Sequence, residues 1–182
     1  MDDNKEKGSI WLDVYGLLSD LTFCLVLVTF VFVFAFRLVI VDGESMVPTL
    51  QDGDMLVILS NFIYEPEVGD VVVVRSEAIE KGPLVKRVIA MDGQTVDIDF
   101  MTGDVFVDGV LQDEPYINNP TTRDEGTEFP ITVPEGSVFV MGDNRQHSTD
   151  SRNPQVGCID KRYVLGKALQ IVFPFRDFGS VS

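Results

Sequence analysis

Ser45 and Lys86 stand out in this 182-residue chain as residues whose surroundings suggest chemistry. Ser45 lies within Val41-Asp42-Gly43-Glu44-Ser45-Met46-Val47-Pro48-Thr49-Leu50, between acidic and apolar neighbours. A hydroxyl in that setting either caps a helix or turn, or becomes a nucleophile once a base is at hand. Lys86 lies within Gly82-Pro83-Leu84-Val85-Lys86-Arg87-Val88-Ile89-Ala90. Alternation along a strand puts Leu84, Lys86 and Val88 on one face and Val85, Arg87 and Ile89 on the other. One of two adjacent cations must then share a face with apolar side chains. Arginine keeps its charge almost everywhere, whereas a buried lysine can lose its proton and act as a general base. A third segment runs from Met141 through Gly142-Asp143-Asn144-Arg145-Gln146-His147-Ser148-Thr149-Asp150-Ser151-Arg152. It reads either as a solvated turn with local ion pairs or as a hydrogen-bonded wall that orients a catalytic group.

Composition narrows the chemistry. Lys and Arg number 14 against 29 Asp and Glu, a net charge of −15, which excludes a broad basic surface for nucleic acid. Two cysteines, Cys24 and Cys158, offer neither a disulfide framework nor zinc spacing, and the single His147 excludes a His-rich metal site. A triad of Ser45, His147 and Asp143 or Asp150 is conceivable, since triads are defined by geometry and not by chain order. A solvated loop histidine is the expectation for His147.

Two kinds of element must position these residues. Leu21–Val41 is apolar apart from Arg37 and spans 21 residues, about 31 Å as a helix, long enough for a bilayer core. It is too long for a cleaved signal and apolar on every face, unlike a surface helix. Lys5 and Lys7 before it favour a cytoplasmic N-terminus, with Arg37 on the other flank weakening the count. The organisation expected is 1–16 as a short cytoplasmic segment, 17–41 as a transmembrane helix and 42–182 as an extracytoplasmic domain. Beyond the span, short runs rich in Val and Ile recur between turn signals: Met55–Leu59, Val71–Arg75, Val85–Ala90, Thr95–Ile98, Val105–Val107, Ser137–Met141 and Leu165–Phe173. Asp52-Gly53, Asp92-Gly93 and Asp108-Gly109 punctuate them. The fold class expected is mainly β, an antiparallel barrel or sandwich, with a small accessory excursion around 100–135 in which Pro115–Pro134 reads as irregular. Phe62-Ile63-Tyr64 is read as a local core plug or as an aromatic segment suited to a bilayer interface.

The three segments, in this order behind an N-terminal span, closely resemble type I signal peptidases, the membrane-anchored serine proteases of family S26. The resemblance rests on Gly-x-Ser-Met-x-Pro-Thr-Leu around Ser45, Lys-Arg-Val-Ile at Lys86, and Gly-Asp-Asn-Arg-x-x-Ser-x-Asp-Ser-Arg from Gly142 to Arg152. Gly53-Asp54 and Gly69-Asp70-Val71-Val72-Val73-Val74 also look like the family's strand-forming segments.

The resemblance implies a nucleophilic Ser45, a neutral Lys86 as general base, and cleavage of signal peptides from preproteins after small residues. It implies that Ser148 bonds and orients the lysine, that Asp150 and Arg152 brace the site, and that Met46 and Pro48 pack around the nucleophile. Val41, Asp42, Leu84 and Val85 would line shallow pockets for the substrate. No cofactor and no metal are implied; the partners are preproteins and the lipid bilayer. Gly43 stands where some members carry Ser or Thr, leaving the Ser45 N–H as the main oxyanion donor, and it also resembles the Gram-positive variant. Ala90 replaces the usual glycine. Two other readings stay open: a LexA-like self-cleaving Ser–Lys protein, and a membrane-anchored binding module of the same fold without catalysis.

Overall fold

The computed structural model describes residues 3–75 and 82–181, with side chains from residue 14 onward. The chain divides into two units, Met1–Phe36 and Arg37–Ser182. The first is a single helix, α1 (Asp3–Ala35), whose stretch Val14–Ala35 contains an 18-residue window of mean hydropathy 2.4 that is not buried within the protein; Ala35 at its end is buried. At 22 residues the stretch reaches about 33 Å. The side chains of Lys5 and Lys7, on which the orientation reading rests, lie outside the described residues.

The expected span ran on to Val41, but the helix ends at Ala35 and Phe36–Ile40 is a strand, β1. A run that is apolar on every face does not distinguish helix from strand. Here the alternating, β-branched end of the run finds a partner. Val39 packs against the core of the second unit, and Val41 N–H donates to Asp54 O at 2.8 Å.

The second unit is mainly β. In chain order the strands after β1 are β2 (Met55–Ser60), β3 (Val71–Val74), β4 (Leu84–Met91), β5 (Thr95–Asp99), β6 (Asp104–Val107), β7 (Val110–Leu111), β8 (Ile131–Thr132), β9 (Ser137–Met141), β10 (Ile159–Asp160), β11 (Val164–Phe173) and β12 (Gly179–Ser180). One sheet has the order β1-β2-β11-β3-β4-β9-β10, with β12 on β11; the other has the order β7-β6-β5-β8. The registered pairs are antiparallel. All seven expected runs are strands, to within a residue or so at each end. β3, β4 and β9 lie mid-sheet and are buried on both faces, which is why they read as continuous valine-rich runs without polar alternation. One core cluster gathers Val41, Met46, Leu50, Leu56, Ile58, Val71, Val73 and Val85, so the segment carrying Ser45 is anchored into the sheet that carries Lys86.

The 115–134 excursion is irregular apart from β8, but it is bound closely to the 142–152 loop. Asn118 N–H donates to Asp143 O, Arg123 Nη1 to Gln146 O, and Gln146 Nε2 to Pro120 O and Thr122 Oγ1. Thr127 N–H donates to Arg152 O at 3.0 Å. The excursion is a strap over the polar loop.

Candidate active site

Ser45 sits in the turn between β1 and β2. Met46 and Leu50, 1% and 0% exposed, pin that turn, and backbone bonds Val47 N to Glu44 O and Leu50 N to Met46 O close it. Gly43 precedes it at φ +91°, with its N–H on Asp52 Oδ1 at 2.7 Å. At that φ an L side chain is strained, which gives a physical reason for glycine where some family members carry a hydroxyl.

Lys86 comes from β4 and is 2% exposed. Its Nζ lies 2.7 Å from Ser45 Oγ and 2.9 Å from Val85 O. Burial pulls its ammonium down from the ordinary value near 10.5 to about 8. Asp150 and Asp143 oppose that fall by favouring the charged form, and Arg152 assists it. An amine with this value, in contact with a hydroxyl, is suited to accept its proton near neutral to mildly alkaline pH.

The loop after β9 supplies the surroundings. Ser148 Oγ donates to Asp150 Oδ2 at 2.6 Å, and Gly142 N–H donates to the same oxygen at 2.9 Å. Arg152 grips both oxygens of Asp150, Nε to Oδ1 at 2.8 Å and Nη2 to Oδ2 at 2.9 Å. Burial alone would raise the Asp150 carboxyl, but the bonds from Arg152 and then Ser148 hold it below the usual range. A Cβ on Gly142 would collide with Ser148 Oγ and Ser45 O, so only glycine fits between the Ser45 backbone and Ser148.

Each sequence-predicted residue can now be placed. Ser45, Lys86, Ser148, Asp150 and Arg152 belong to one neighbourhood. Ser148 departs from expectation: its hydroxyl bonds Asp150, and the bonds of the lysine go to Ser45 and Val85. A carboxylate beside the hydroxyl is the stronger acceptor, and it accepts the Ser148 hydrogen bond. Val41, Met46 and Val85 share the core cluster beneath the turn, while Leu84 packs against a different cluster with Val72, Val74 and Val88. Adjacent residues of β4 face opposite ways, so Leu84 and Val85 do not join in one lining. Asp42 is exposed and Gly43 partly so. His147 is exposed, and the hydrogen bond of Ser45 Oγ is with Lys86.

A second buried network escaped the sequence reading. Arg87, 3% exposed, forks onto Asp143 with Nε to Oδ1 at 2.9 Å and Nη2 to Oδ2 at 2.8 Å. Thr49 Oγ1 donates to Asp143 Oδ2 at 2.5 Å, and the Arg87 guanidinium lies 4.1 Å from the Tyr116 ring centre. Arg145, fully buried, pairs with Glu114 at 2.6 Å and with Thr121 Oγ1. The available signal was the Lys86-Arg87 pair itself: alternation requires the second cation to be buried or exposed on the opposite face.

The sequence model of the family described as "Signal peptidase, peptidase S26" matches residues 15–173. The chain belongs to this family. "Signal peptidase I" of Bacillus licheniformis is 39% identical over 154 residues, covering 79% of this chain and 80% of the relative. "Signal peptidase I T" of Bacillus subtilis (strain 168) is 37% identical over 153 residues, covering 79% and 77%. The crystal structure of a signal peptidase I from Enterococcus faecalis V583 aligns with a TM-score of 0.48 at 31% identity, covering 58% of this chain and 97% of that one. As a member of the signal peptidase family, the chain is a serine peptidase.

Proposed function

We propose that this peptidase is a membrane-anchored signal peptidase I that cleaves preproteins after Ala-x-Ala-type junctions, with Ser45 as nucleophile and Lys86 as general base. The observation that carries the reading is the 2.7 Å contact between Lys86 Nζ and Ser45 Oγ on a lysine 2% exposed. The neutral amine takes the hydroxyl proton as Ser45 Oγ adds to the scissile carbonyl carbon, and the carbonyl electron pair moves onto oxygen. The tetrahedral centre collapses, the peptide C–N bond breaks, and Lys86 returns the proton to the departing amine. Water then repeats the cycle on the acyl-enzyme: Lys86 accepts its proton, and Ser45 leaves with that proton restored. Ser45 N–H, which donates to no other group among the described residues, is the donor available to the oxyanion.

The Ser148–Asp150–Arg152 brace acts on the lysine through the charge of Asp150 and on the Ser45 turn through Gly142, instead of by a direct bond to Lys86. The proposed seat of the substrate's residues near the cleaved bond, bound as an extended strand, is the surface beside Val41, Asp42, Gly43, Met46 and Val85, with Leu84 outside it on the opposite face of β4. The 22-residue apolar helix anchors the enzyme, with the N-terminus cytoplasmic and the β unit outside. The test is cleavage of a preprotein by the full-length chain in proteoliposomes, with N-terminal sequencing of the product. Wild type is expected to cut after an Ala-x-Ala junction, and Ser45→Ala and Lys86→Ala to lose cleavage to background. Cleavage surviving either substitution would refute the dyad.

A further inference from the structure

Asn144 holds the peptide group that bears the proposed oxyanion donor. Its side chain is buried, 4% exposed, and its Nδ2 donates to Glu44 O at 3.1 Å. Its backbone N–H donates to Ser45 O at 3.0 Å. One residue of the loop after β9 thus grips both carbonyls flanking the Ser45 residue. The Glu44 carbonyl and the Ser45 N–H belong to the same planar trans peptide unit, in which they point in opposite directions. A donor fixed on Glu44 O therefore also fixes where the Ser45 N–H aims.

Two further observations make this bond matter. Val47 N–H also reaches Glu44 O, at 3.2 Å, but it comes from within the same turn and cannot tie that turn to the rest of the site. And Gly43 has no hydroxyl, while its own N–H is engaged by Asp52, so neither can share the oxyanion. The amide orientation follows from chemistry, because only its nitrogen can face a carbonyl oxygen; Oδ1 is left buried without a partner among the described residues. A hydrogen bond onto Glu44 O also polarises the peptide and strengthens its N–H as a donor.

We propose that Asn144 is a positioning residue for transition-state stabilisation: it aims the Ser45 N–H at the oxyanion through the Glu44–Ser45 peptide group. The proposal rests on Ser45 being the nucleophile. The test compares full-length wild type with Asn144→Ala and Asn144→Ser on an Ala-x-Ala peptide, measuring kcat, KM and their pH dependence. It also measures affinity for a peptide aldehyde, to whose carbonyl carbon Ser45 Oγ adds to leave a bound oxyanion or hemiacetal, and for the cleaved product peptide. The expected result is a kcat lower by about 10- to 100-fold, aldehyde affinity falling in step, and KM and product affinity within about threefold. The acid limb of the pH profile should stay where it is, because Lys86 is untouched. A kcat within twofold of wild type, a loss confined to KM, or a displaced acid limb would overturn the proposal. So would failure of both variants to fold, since Asn144 would then determine the fold and not aim a donor. Cleavage surviving Ser45→Ala would signal that the underlying reading has failed; a dead Ser45→Ala beside a fully active Asn144→Ala would sink this inference alone.

Discussion

At the residue scale the central object is a lysine that the fold keeps dry. Removing it from water costs stability as long as the unfolded chain can hold the proton more tightly. The sign follows from linkage: the folded value near 8 lies below the ordinary 10.5, so the penalty is present in full below about pH 8 and fades as pH rises toward 10.5. Lys86→Met removes that penalty. Its stability advantage over wild type, or its smaller deficit, should change in wild type's favour by about 2 kcal/mol between pH 7 and pH 10, read by chemical denaturation at each pH. A difference independent of pH would mean that Lys86 is charged in the folded state. His147 is exposed, and Ser45 Oγ bonds Lys86 instead, so His147→Ala should retain cleavage within about twofold in the same preprotein assay.

At the scale of elements, the site is the meeting of one turn, one strand and one loop, tied together by glycine and buried charge. Gly142→Ala should cost about 1–3 kcal/mol in a denaturation series and also depress cleavage, because its Cβ has no room between Ser148 Oγ and Ser45 O. Glu114→Gln leaves the fully buried Arg145 without its carboxylate and should cost about 3–5 kcal/mol, although neither side chain bonds Ser45. The strands were legible because valine-rich runs between Asp-Gly turns have few other ways to bury themselves. Ser45, Lys86 and the brace were legible because a motif carries them at fixed spacing. The Arg145–Glu114 and Arg87–Asp143 pairs join positions 31 and 56 residues apart, and no local period connects partners at that distance. The partner of Ser148 was misread for a similar reason: which of two nearby groups accepts its hydrogen bond depends on three-dimensional placement. The end of the helix was misread because Phe36–Ile40 continues the apolar run with Arg37 as its one break, and only pairing with a neighbouring strand marks it as β.

For the whole molecule, charge and apolar exposure set how the β unit meets its surroundings. Of the net −15, about −13 falls on residues 42–182, so an anionic surface repels it and any contact with lipid must be apolar. Phe62 and Ile63 are 74% and 62% exposed, which argues against a core plug, whereas Tyr64 is half-buried and hydrogen-bonded to Asp70. Phe62→Trp in a Trp11→Phe background, reconstituted in vesicles, should show fluorescence quenched by brominated lipid chains. Equal fluorescence in brominated and unbrominated vesicles would place Phe62 away from the bilayer. Replacing neutral lipid with anionic lipid should weaken that quenching at low salt and restore it as salt is added.

The pairing of Ser45 with a neutral Lys86 is tested most directly by the pH dependence of kcat/KM on a preprotein with an Ala-x-Ala junction. An acid limb with its midpoint near pH 8, with the cleavage that defines it abolished in Lys86→Ala, is the result expected from an amine held at that value by burial. A limb near pH 6 to 6.5 that survives Lys86→Ala and disappears in His147→Ala would contradict it.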